Sequence, residues 1–267
     1  MLTLLCFAGC VTEISIPANG NPENNTRPQT SWQEIHPGMN YGVMHLKTSN
    51  SPDFKDLIIV ITDPKQYFFS IVQNTDAKSA KTIREIHEET GSLLTFNGGF
   101  FTEDFKPTGL LISGGKKLRE PSSANLINGI LAIDNEGRAE LFSNKSAINA
   151  EKYGFAIQNG PVLLDKESNI KITEDSGKTA SRTAIGLDKE DNIVLIVLKQ
   201  SLLNVDNQIT LYEFAHLLKE NPEFAIFGLH SMLNLDGGPS TGMMVMDRYF
   251  PEMEKVQNVV IVKKRIS

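Results

Sequence analysis

The sequence predicts a single α+β domain built on a large mixed, mostly antiparallel β-sheet with a few flanking helices. Three observations lead to this expectation. About a dozen short apolar runs have strand length and β-type composition, only two segments have helical periodicity, and Gly, Asn and Asp separate most of the runs. With 267 residues, of which 40% are hydrophobic, the chain is long enough to bury a substantial core.

The expected strands follow one another along the chain with few interruptions. Runs such as "LIIVIT" and "NIVLIVL" are rich in β-branched residues, which fit a pleated and half-buried surface well. The predicted strands span residues 41–47, 57–62, 67–73, 92–96, 109–113, 129–134, 139–142, 153–158, 182–187, 192–198, 232–235, 242–246 and 258–262.

Two segments predict helices. Residues 78–91 carry apolar residues on one face and end in a glycine, and residues 210–222 begin with Thr210 as an N-cap and end at Asn-Pro. The second helix, followed by the strand at 232–235, indicates one βαβ-like crossover. We find no repeat of 20–50 residues and no boundary that divides residues 31–267.

Charge and cysteine content exclude several classes of function. The net charge is −6 and the basic residues are scattered, so a nucleic-acid partner has no electrostatic footprint. The two cysteines, Cys6 and Cys10, both lie in the first ten residues. The rest of the chain therefore has no disulfide, no thiolate metal site and no cysteine nucleophile.

Residues 1–30 are expected to be a lipoprotein-like leader and polar tether, ahead of a folded domain at 31–267. The apolar start ends in Ala8-Gly9-Cys10, small residues before a cysteine, as at a bacterial lipoprotein cleavage site. This predicts a protein of the bacterial cell envelope, lipidated at Cys10 and periplasmic or outer-surface, or a secreted protein. A cytoplasmic protein with an apolar N-terminus is the alternative, because the apolar stretch is short and lacks a basic n-region.

Three predicted strands end in a polar side chain that is followed by glycine. These places are Asn97-Gly98-Gly99, Gln158-Asn159-Gly160 and the run Asp236 to Thr241, "DGGPST". Glycine, Asn and Asp are also the usual residues of tight turns, so the sequence leaves open whether these three places are turns or parts of a binding site. The Gly-Gly of "SGGKK" (113–117) has no such polar partner and predicts a hairpin turn only.

Arg182 is a lone arginine at the start of a predicted strand of small and apolar residues. A half-buried guanidinium needs an anionic partner, which is either Asp236 in a structural pair or a bound phosphate or carboxylate. Arg182 and exposed glycine amides together would form a cradle for an anion. The sequence has no transition-metal motif, and no cofactor is expected to be required. A Ca²⁺ or Mg²⁺ ion at the carboxylates stays open, but no loop has the ligand spacing for one.

With these residues in view, the chain resembles the phosphodiester glycosidase family, most closely its bacterial exported branch, which is often associated with exopolysaccharide or cell-envelope loci. The similar segments keep one order: "FNGGFFTEDFKPTGLLI", "NGILAID", "FAIQNGPVLL", "SRTAIGL", "YEFA" and "LNLDGGPSTGM". The resemblance implies hydrolysis of a sugar-1-phosphodiester at the anomeric carbon. The implied partner is a phosphorylated carbohydrate or glycan, with membrane contact only through a lipid anchor.

The resemblance also implies roles for particular residues. Arg182 would hold the phosphate, and Asp236 would act as nucleophile, base or electrostatic stabiliser. Asp104 and Glu103 are the candidates for a second carboxylate, and Asp104 matches the family pattern better. The implied substrate-binding residues are Asn97, Gly98, Gly99, Asn128, Gln158, Gly160, Gly237, Gly238, Ser240 and Thr241.

Two departures from the family pattern keep other functions open. Many members have a run of Gly and Ser after the aspartate, which Pro239 interrupts here, and many have Asp-Gly where this chain has "LKQSLL" (198–203). A catalytically weak envelope protein that binds anionic glycan would use the same pocket. A phosphodiesterase that cuts P–O instead of C–O is the third reading.

Overall fold

The structure, a computed structural model, describes residues 31–47, 54–143, 148–199, 206–225 and 227–265. The predicted leader and tether, with Cys6 and Cys10, lie outside these residues. Among the helices described, none combines the length and the apolar character that crossing a membrane requires.

The described residues form a strand-rich α+β domain, which confirms the predicted fold class. In chain order the strands are β1 (Ser31–His36), β2 (Met39–Lys47), β3 (Phe54–Thr62), β4 (Tyr67–Gln73), β5 (Leu94–Asn97), β6 (Leu111–Ser113), β7 (Lys116–Arg119), β8 (Gly129–Asp134), β9 (Ala139–Ser143), β10 (Tyr153–Asn159), β11 (Val162–Leu164), β12 (Arg182–Leu187), β13 (Ile193–Leu198), β14 (Ser231–Asn234), β15 (Met243–Val245), β16 (Arg248–Phe250) and β17 (Asn258–Lys264). The helices are α1 (Ile83–Thr90), α2 (Leu211–Glu220) and α3 (Pro222–Ala225).

The described strands form three sheets, whereas one large sheet was expected. The first sheet has the order β1-β2-β3-β13-β12-β14-β11, the second β7-β6-β10-β8-β9, and the third β16-β15-β5-β17-β4. Strands that are neighbours in space are often distant in sequence, as with β5 and β17. Hydrophobic patterning identifies strands but not their partners, so the division into sheets could not be read from the runs alone.

All three sheets bury side chains in one shared core. Leu195 of the first sheet, Phe155 of the second and Phe96 of the third belong to one cluster, and each is almost fully buried. Helices α2 and α3 cover the outer face of the first sheet, and α1 covers the outer face of the third. This layered arrangement explains why most strands are apolar on both faces.

The crossover through α2 brings three strand ends together at one edge of the first sheet. Strands β13 and β14 both pair antiparallel with β12 and therefore run parallel to each other, with α2 and α3 in the connection between them. Arg182, the first residue of β12, pairs with Leu198, the last residue of β13. Ala184 of β12 pairs with Asn234, the last residue of β14. The start of β12 thus lies beside the ends of both neighbours.

The helices begin at threonine caps. Thr82 and Thr210 each accept a hydrogen bond from the backbone of the glutamate three residues later, and that glutamate bonds back to the cap. Helix α1 is therefore shorter than predicted, because the cap at Thr82 fixes its first residue as Ile83. Helix α2 ends at Glu220 with Asn221 as its C-cap, which confirms the predicted end at Asn-Pro. Pro222 then begins α3, since proline is tolerated in the first turn of a helix.

The Gly114–Gly115 turn has the structural role that the sequence indicated. It joins β6 to β7 as a hairpin, and the two glycines have φ of +57° and +72°. Glycine adopts such angles readily, which is why this turn needs no functional explanation.

Candidate active site

The two glycine turns that follow β5 and β14 meet in the folded protein. The backbone N–H of Asp236 donates to the carbonyl oxygen of Gly98 over 3.1 Å. The side-chain amide of Asn97 donates to the carbonyl oxygen of Asp236 over 2.8 Å. The end of β5 in the third sheet is thereby fixed to the end of β14 in the first sheet, and Asp236 stands where these ends join.

Asn97 is a buried cross-link rather than an exposed side chain. It is 0% exposed, and its Oδ1 accepts from the Thr183 hydroxyl at 2.8 Å and from the Gly242 N–H at 3.2 Å. Asn97 therefore has no free surface with which to make the expected contact with a sugar hydroxyl. We reassign Asn97 from substrate contact to positioning, since it holds the backbone of Asp236 in place.

Four buried asparagines at strand ends connect the three sheets around this point. Asn159 bonds the Phe100 N–H and the carbonyl of Asn234, and Asn234 in turn donates to the carbonyl of Gly160. Asn258 bonds both the N–H and the carbonyl of Gly99. The four residues are Asn97, Asn159, Asn234 and Asn258. Asn97, Asn159 and Asn258 bond backbone with both ends of the amide and Asn234 with its Nδ2 alone, and together they make a rigid frame.

Asn258 also explains why Gly98 is a glycine. A Cβ on Gly98 would lie 2.0 Å from the Oδ1 of Asn258 and 2.9 Å from its carbonyl oxygen, so no larger residue fits without moving β17. The sequence showed the Gly-Gly but not the strand that presses against it. Asn258 was missed because it follows a loop far along the chain.

Replacing Gly98 with alanine is expected to lower the free energy of unfolding by about 1 to 3 kcal/mol, as overpacking of a rigid site does. Urea denaturation, monitored by circular dichroism, measures this loss of stability. Gly99→Ala is the matched control, because a Cβ on Gly99 would lie 3.2 Å from its nearest neighbour, the Asn159 side chain. Equal losses in the two variants would contradict the close approach of Asn258.

Asp236 is a half-buried carboxylate with few partners. Its Oδ1 accepts from the Gly237 N–H at 2.9 Å, and the Ser240 side chain bonds it as well. The pKa of Asp236 is raised to about 6: burial is the largest cause, the two hydrogen bonds oppose the rise, and the charge of Glu254 adds to it. The carboxyl group is therefore mostly ionised at neutral pH but close enough to its pKa to exchange a proton.

The raised pKa gives a prediction for stability. Because the folded-state pKa of about 6 lies above the ordinary 3.8, the ionised carboxylate costs stability, and wild-type stability should fall as pH rises from about 4 to about 6. Asp236→Asn lacks this cost. We expect it to be more stable than wild type above pH 6, by about 2 kcal/mol, and equal below pH 4. Denaturant titrations at pH 4 and pH 7.5 measure the difference; a constant difference across this range would refute it.

Arg182 carries a positive charge that no carboxylate of the described residues balances. Its Nε donates to the carbonyl of Ile209 at 3.0 Å and one terminal nitrogen to the carbonyl of Lys178 at 2.9 Å. Within the described part of the chain no ion pair reaches it, so the structural pair with Asp236 is not formed. Burial lowers the pKa of Arg182. A desolvated guanidinium with donors left over is suited to bind an anion.

Gly237 lies between the two charged groups. Its N–H bonds the Asp236 carboxylate, and a Cβ added to it would lie 3.9 Å from Nη1 of Arg182 and 2.9 Å from the carbonyl of Ser181. A side chain here would fill the space beside the guanidinium. The bare backbone of Gly237 thus keeps the space beside the guanidinium free of a side chain.

The loop after Asp236 is shaped by Pro239 without being blocked by it. Gly238 has φ of +60° and opens a single 3₁₀ turn, Gly238–Ser240, in which Pro239 is exposed. The carbonyl of Pro239 accepts from the N–H groups of Met253 and Glu254 at 2.8 and 3.3 Å. The proline is therefore an anchor for the segment before β17, on the outer side of the loop. Thr241 is buried, with a hydroxyl that has no partner among the described residues.

Gln158, Gly160 and Asn128 lie where the end of β10 meets the segment before β8. Gln158 is 1% exposed, and it bonds the backbone of Leu110, Ser122 and Ile127 with both ends of its amide. Asn128 accepts from the N–H of Val162 at 2.8 Å. We reassign Gln158 from sugar contact to positioning, because its polar atoms are saturated and buried. Gly160 is needed because its backbone lies close to the carbonyl of Leu126, and a Cβ on it would lie 2.1 Å from that carbonyl.

Glu103 and Asp104 lie at an exposed turn between Phe101 and Pro107, which form a β-bridge. No hydrogen bond or ion pair among the described residues joins either carboxylate to Asp236 or Arg182. The carboxylate whose charge reaches Asp236 is instead Glu254. It comes from a segment about 150 residues further along the chain, which proximity in sequence could not indicate.

No cluster of three or more His, Cys, Asp or Glu side chains arranged to hold a metal ion is found in the described residues. The donor set at the site, one carboxylate with amide and hydroxyl groups and a guanidinium, is that of an anion site.

Comparison with known proteins identifies a family and relatives that share this fold. The profile of the phosphodiester glycosidase family matches residues 90–263, more than half of the chain. The uncharacterized protein YigE of Escherichia coli (strain K12) is 24% identical over 168 residues, which are 58% of this chain and 59% of that protein.

Two solved structures share the fold. A hypothetical protein from Synechocystis superposes with a TM-score of 0.69 at 16% identity, over 90% of this chain and 64% of that one. The zebrafish N-acetylglucosamine-1-phosphodiester alpha-N-acetylglucosaminidase catalytic domain, auto-inhibited by its pro-peptide, superposes with a TM-score of 0.67 at 17% identity, over 89% and 88%. The chain spans less than two thirds of YigE and of the Synechocystis protein.

Proposed function

The chain belongs to the phosphodiester glycosidase family, and we propose that it hydrolyses the glycosyl C–O bond of a sugar-1-phosphodiester. One observation carries the proposal: the Asp236 carboxylate and the unpaired Arg182 guanidinium lie on either side of the bare backbone of Gly237. A diester phosphate fits beside the guanidinium, and the carboxylate then faces the sugar side of the same substrate.

The chemistry needs little more than this arrangement. A phosphate monoester is a good leaving group, so strong help from a general acid is less necessary than for an alkyl glycoside, which relaxes the usual requirement for two carboxylates. Arg182 and the glycine amides hold the phosphate charge. Asp236 is mostly ionised at neutral pH, because its pKa is about 6, and it either activates water or stabilises an oxocarbenium-like transition state.

The bond that breaks can be determined with labelled water. The probe is the methyl ester of N-acetylglucosamine-1-phosphate, chosen because the zebrafish relative acts on a diester of that kind. Hydrolysis in ¹⁸O water is expected to place the label in the sugar. Label in methyl phosphate would mean P–O cleavage, and tight binding without hydrolysis would mean a binding protein; either result refutes the proposal.

We also propose that the protein is exported and anchored at the bacterial envelope through Cys10, where its substrate would be a phosphorylated glycan. The support is the sequence Ala8-Gly9-Cys10 and the polar stretch after it. In a bacterial host the protein should incorporate labelled fatty acid, and Cys10→Ser should abolish this. Equal labelling of the two forms would exclude the anchor.

A further inference from the structure

The buried polar atoms that lack partners are concentrated at the candidate site. In the part of the chain that the structure describes, three such side-chain atoms occur: Nζ of Lys199, Oδ1 of Asn234 and Oγ1 of Thr241. Lys199 directly follows β13, Asn234 ends β14, and Thr241 belongs to the loop after Asp236. Each unsatisfied buried group is costly, so their concentration at one edge indicates a place that a ligand completes.

The strand register places Lys199 next to the anion site. Leu198 pairs with Arg182, so Lys199 lies one residue further along, beside Ser181. On the other side of β12, Ser181 accepts from the N–H of Gly238 at 2.8 Å. Neighbouring strands are about 4.8 Å apart. Lys199 and the glycine loop therefore lie on the two sides of Ser181, and a lysine side chain is long enough to span the distance between them.

The two cations reach this edge from opposite faces of the first sheet. Side chains alternate along a strand, so Lys199 points to the same side as Val197, which lies in the core shared by the three sheets. Arg182 points to the other side with Leu198, towards the layer of α2. A ligand at the strand ends would lie between an ammonium and a guanidinium.

The Nζ of Lys199 is buried although the side chain as a whole is half-buried, and it has no hydrogen-bond partner among the described residues. In the described segments, Glu252 is the one charge that acts on Lys199, and the two form no ion pair. Burial lowers the pKa of Lys199. Lys55 shows the contrast, because it is also buried but donates to the carbonyl of Asp206 at 2.5 Å. A desolvated ammonium with no acceptor costs stability, and a bound anion would offset that cost.

We propose that Lys199 is the second cation of the site and that it binds the phosphate oxygens that leave with the product. This rests on the proposed hydrolysis. The substrate diester carries one negative charge, which Arg182 balances. When the C–O bond breaks, its electron pair stays on the phosphate oxygen. Water adds its oxygen to the anomeric carbon and gives its proton to ionised Asp236.

The product monoester then carries close to two negative charges near neutral pH. A second cation therefore stabilises the departing group more than the bound substrate, which is the condition for speeding up the reaction.

Binding of two small anions tests the assignment. We compare inorganic phosphate, which resembles the leaving group, with dimethyl phosphate, which resembles the diester, by calorimetry at pH 7.5. Lys199→Met should weaken phosphate binding about tenfold or more and dimethyl phosphate binding little. Lys199→Arg should recover part of the loss. Lys219→Met, at an exposed position in the last turn of α2, is the control and should change neither.

Thermal unfolding distinguishes this role from a structural one. Lys199→Met removes an unpaired buried charge, so its Tm without ligand should equal or exceed that of wild type. A lower Tm, or unchanged phosphate affinity, would overturn the assignment. If wild type hydrolyses the diester and Lys199→Met binds phosphate normally, only this inference fails. If phosphate binds through Lys199 but no hydrolysis occurs, only the proposed function fails.

Discussion

Replacing Asp236 with asparagine is expected to reduce kcat on the sugar-1-phosphodiester by roughly 10²- to 10⁴-fold, the range of a positioned acid–base group. Asparagine keeps the shape of the side chain and can still accept from the Gly237 N–H, so the loop should remain in place. What is lost is the ability to take a proton or to oppose positive charge. Initial rates with the methyl phosphodiester at saturation measure the effect.

Glu254→Gln is the matched control for that variant. Glu254 is exposed and acts on Asp236 through its charge, which raises the pKa of Asp236. Without it, the pKa of Asp236 should fall, so the acid limb of the kcat profile should move to lower pH with a nearly unchanged plateau. An Asp236→Asn enzyme that keeps more than about a tenth of wild-type kcat would exclude the assigned role.

Replacing Arg182 with methionine is expected to lower kcat/KM by roughly 10²- to 10³-fold, as the loss of a preorganised donor to a developing charge does. Inhibition by inorganic phosphate, which resembles the methyl phosphate product, should also weaken, because the same guanidinium holds both anions. Steady-state kinetics with and without phosphate give both numbers.

Arg182→Lys tests geometry separately from charge. A lysine keeps the positive charge but cannot bond the carbonyls of both Lys178 and Ile209 while also meeting a phosphate. The kcat/KM of Arg182→Lys should fall between that of wild type and that of Arg182→Met. Circular dichroism confirms that each variant is folded. Wild-type inhibition by phosphate in the methionine variant would rule out the phosphate role of Arg182.

The sequence alone indicated those parts of the candidate site that depend on local signals. Asp236 and Gly98 were found because a polar residue and glycine follow an apolar strand, and Arg182 because a lone charge opens one. The class of fold followed from the spacing of strands. In each case the informative residues are neighbours in the chain.

Residues brought in by long-range pairing could not be found in this way. Asn258 presses on Gly98 because β17 pairs with β5, and Glu254 acts on Asp236 because its segment bonds the carbonyl of Pro239. Lys199 ended an ordinary apolar strand, and only the register with β12 places it at the site. Glu103 and Asp104 were chosen for their closeness in sequence to Asn97, and the turn that carries them is exposed.

The frame of buried asparagines has a consequence for the chemical ageing of the protein. Two of the four, Asn97 and Asn159, are followed directly by glycine, the sequence in which an unfolded chain deamidates most readily. In the folded protein both amides are held by backbone partners and shielded from water. Each excursion to the unfolded state would expose them, and an aspartate formed there would bring an unpaired charge into the junction of the three sheets on refolding. Unfolding at alkaline pH should therefore become irreversible with time, and the damage should accumulate at the residues that hold the site together.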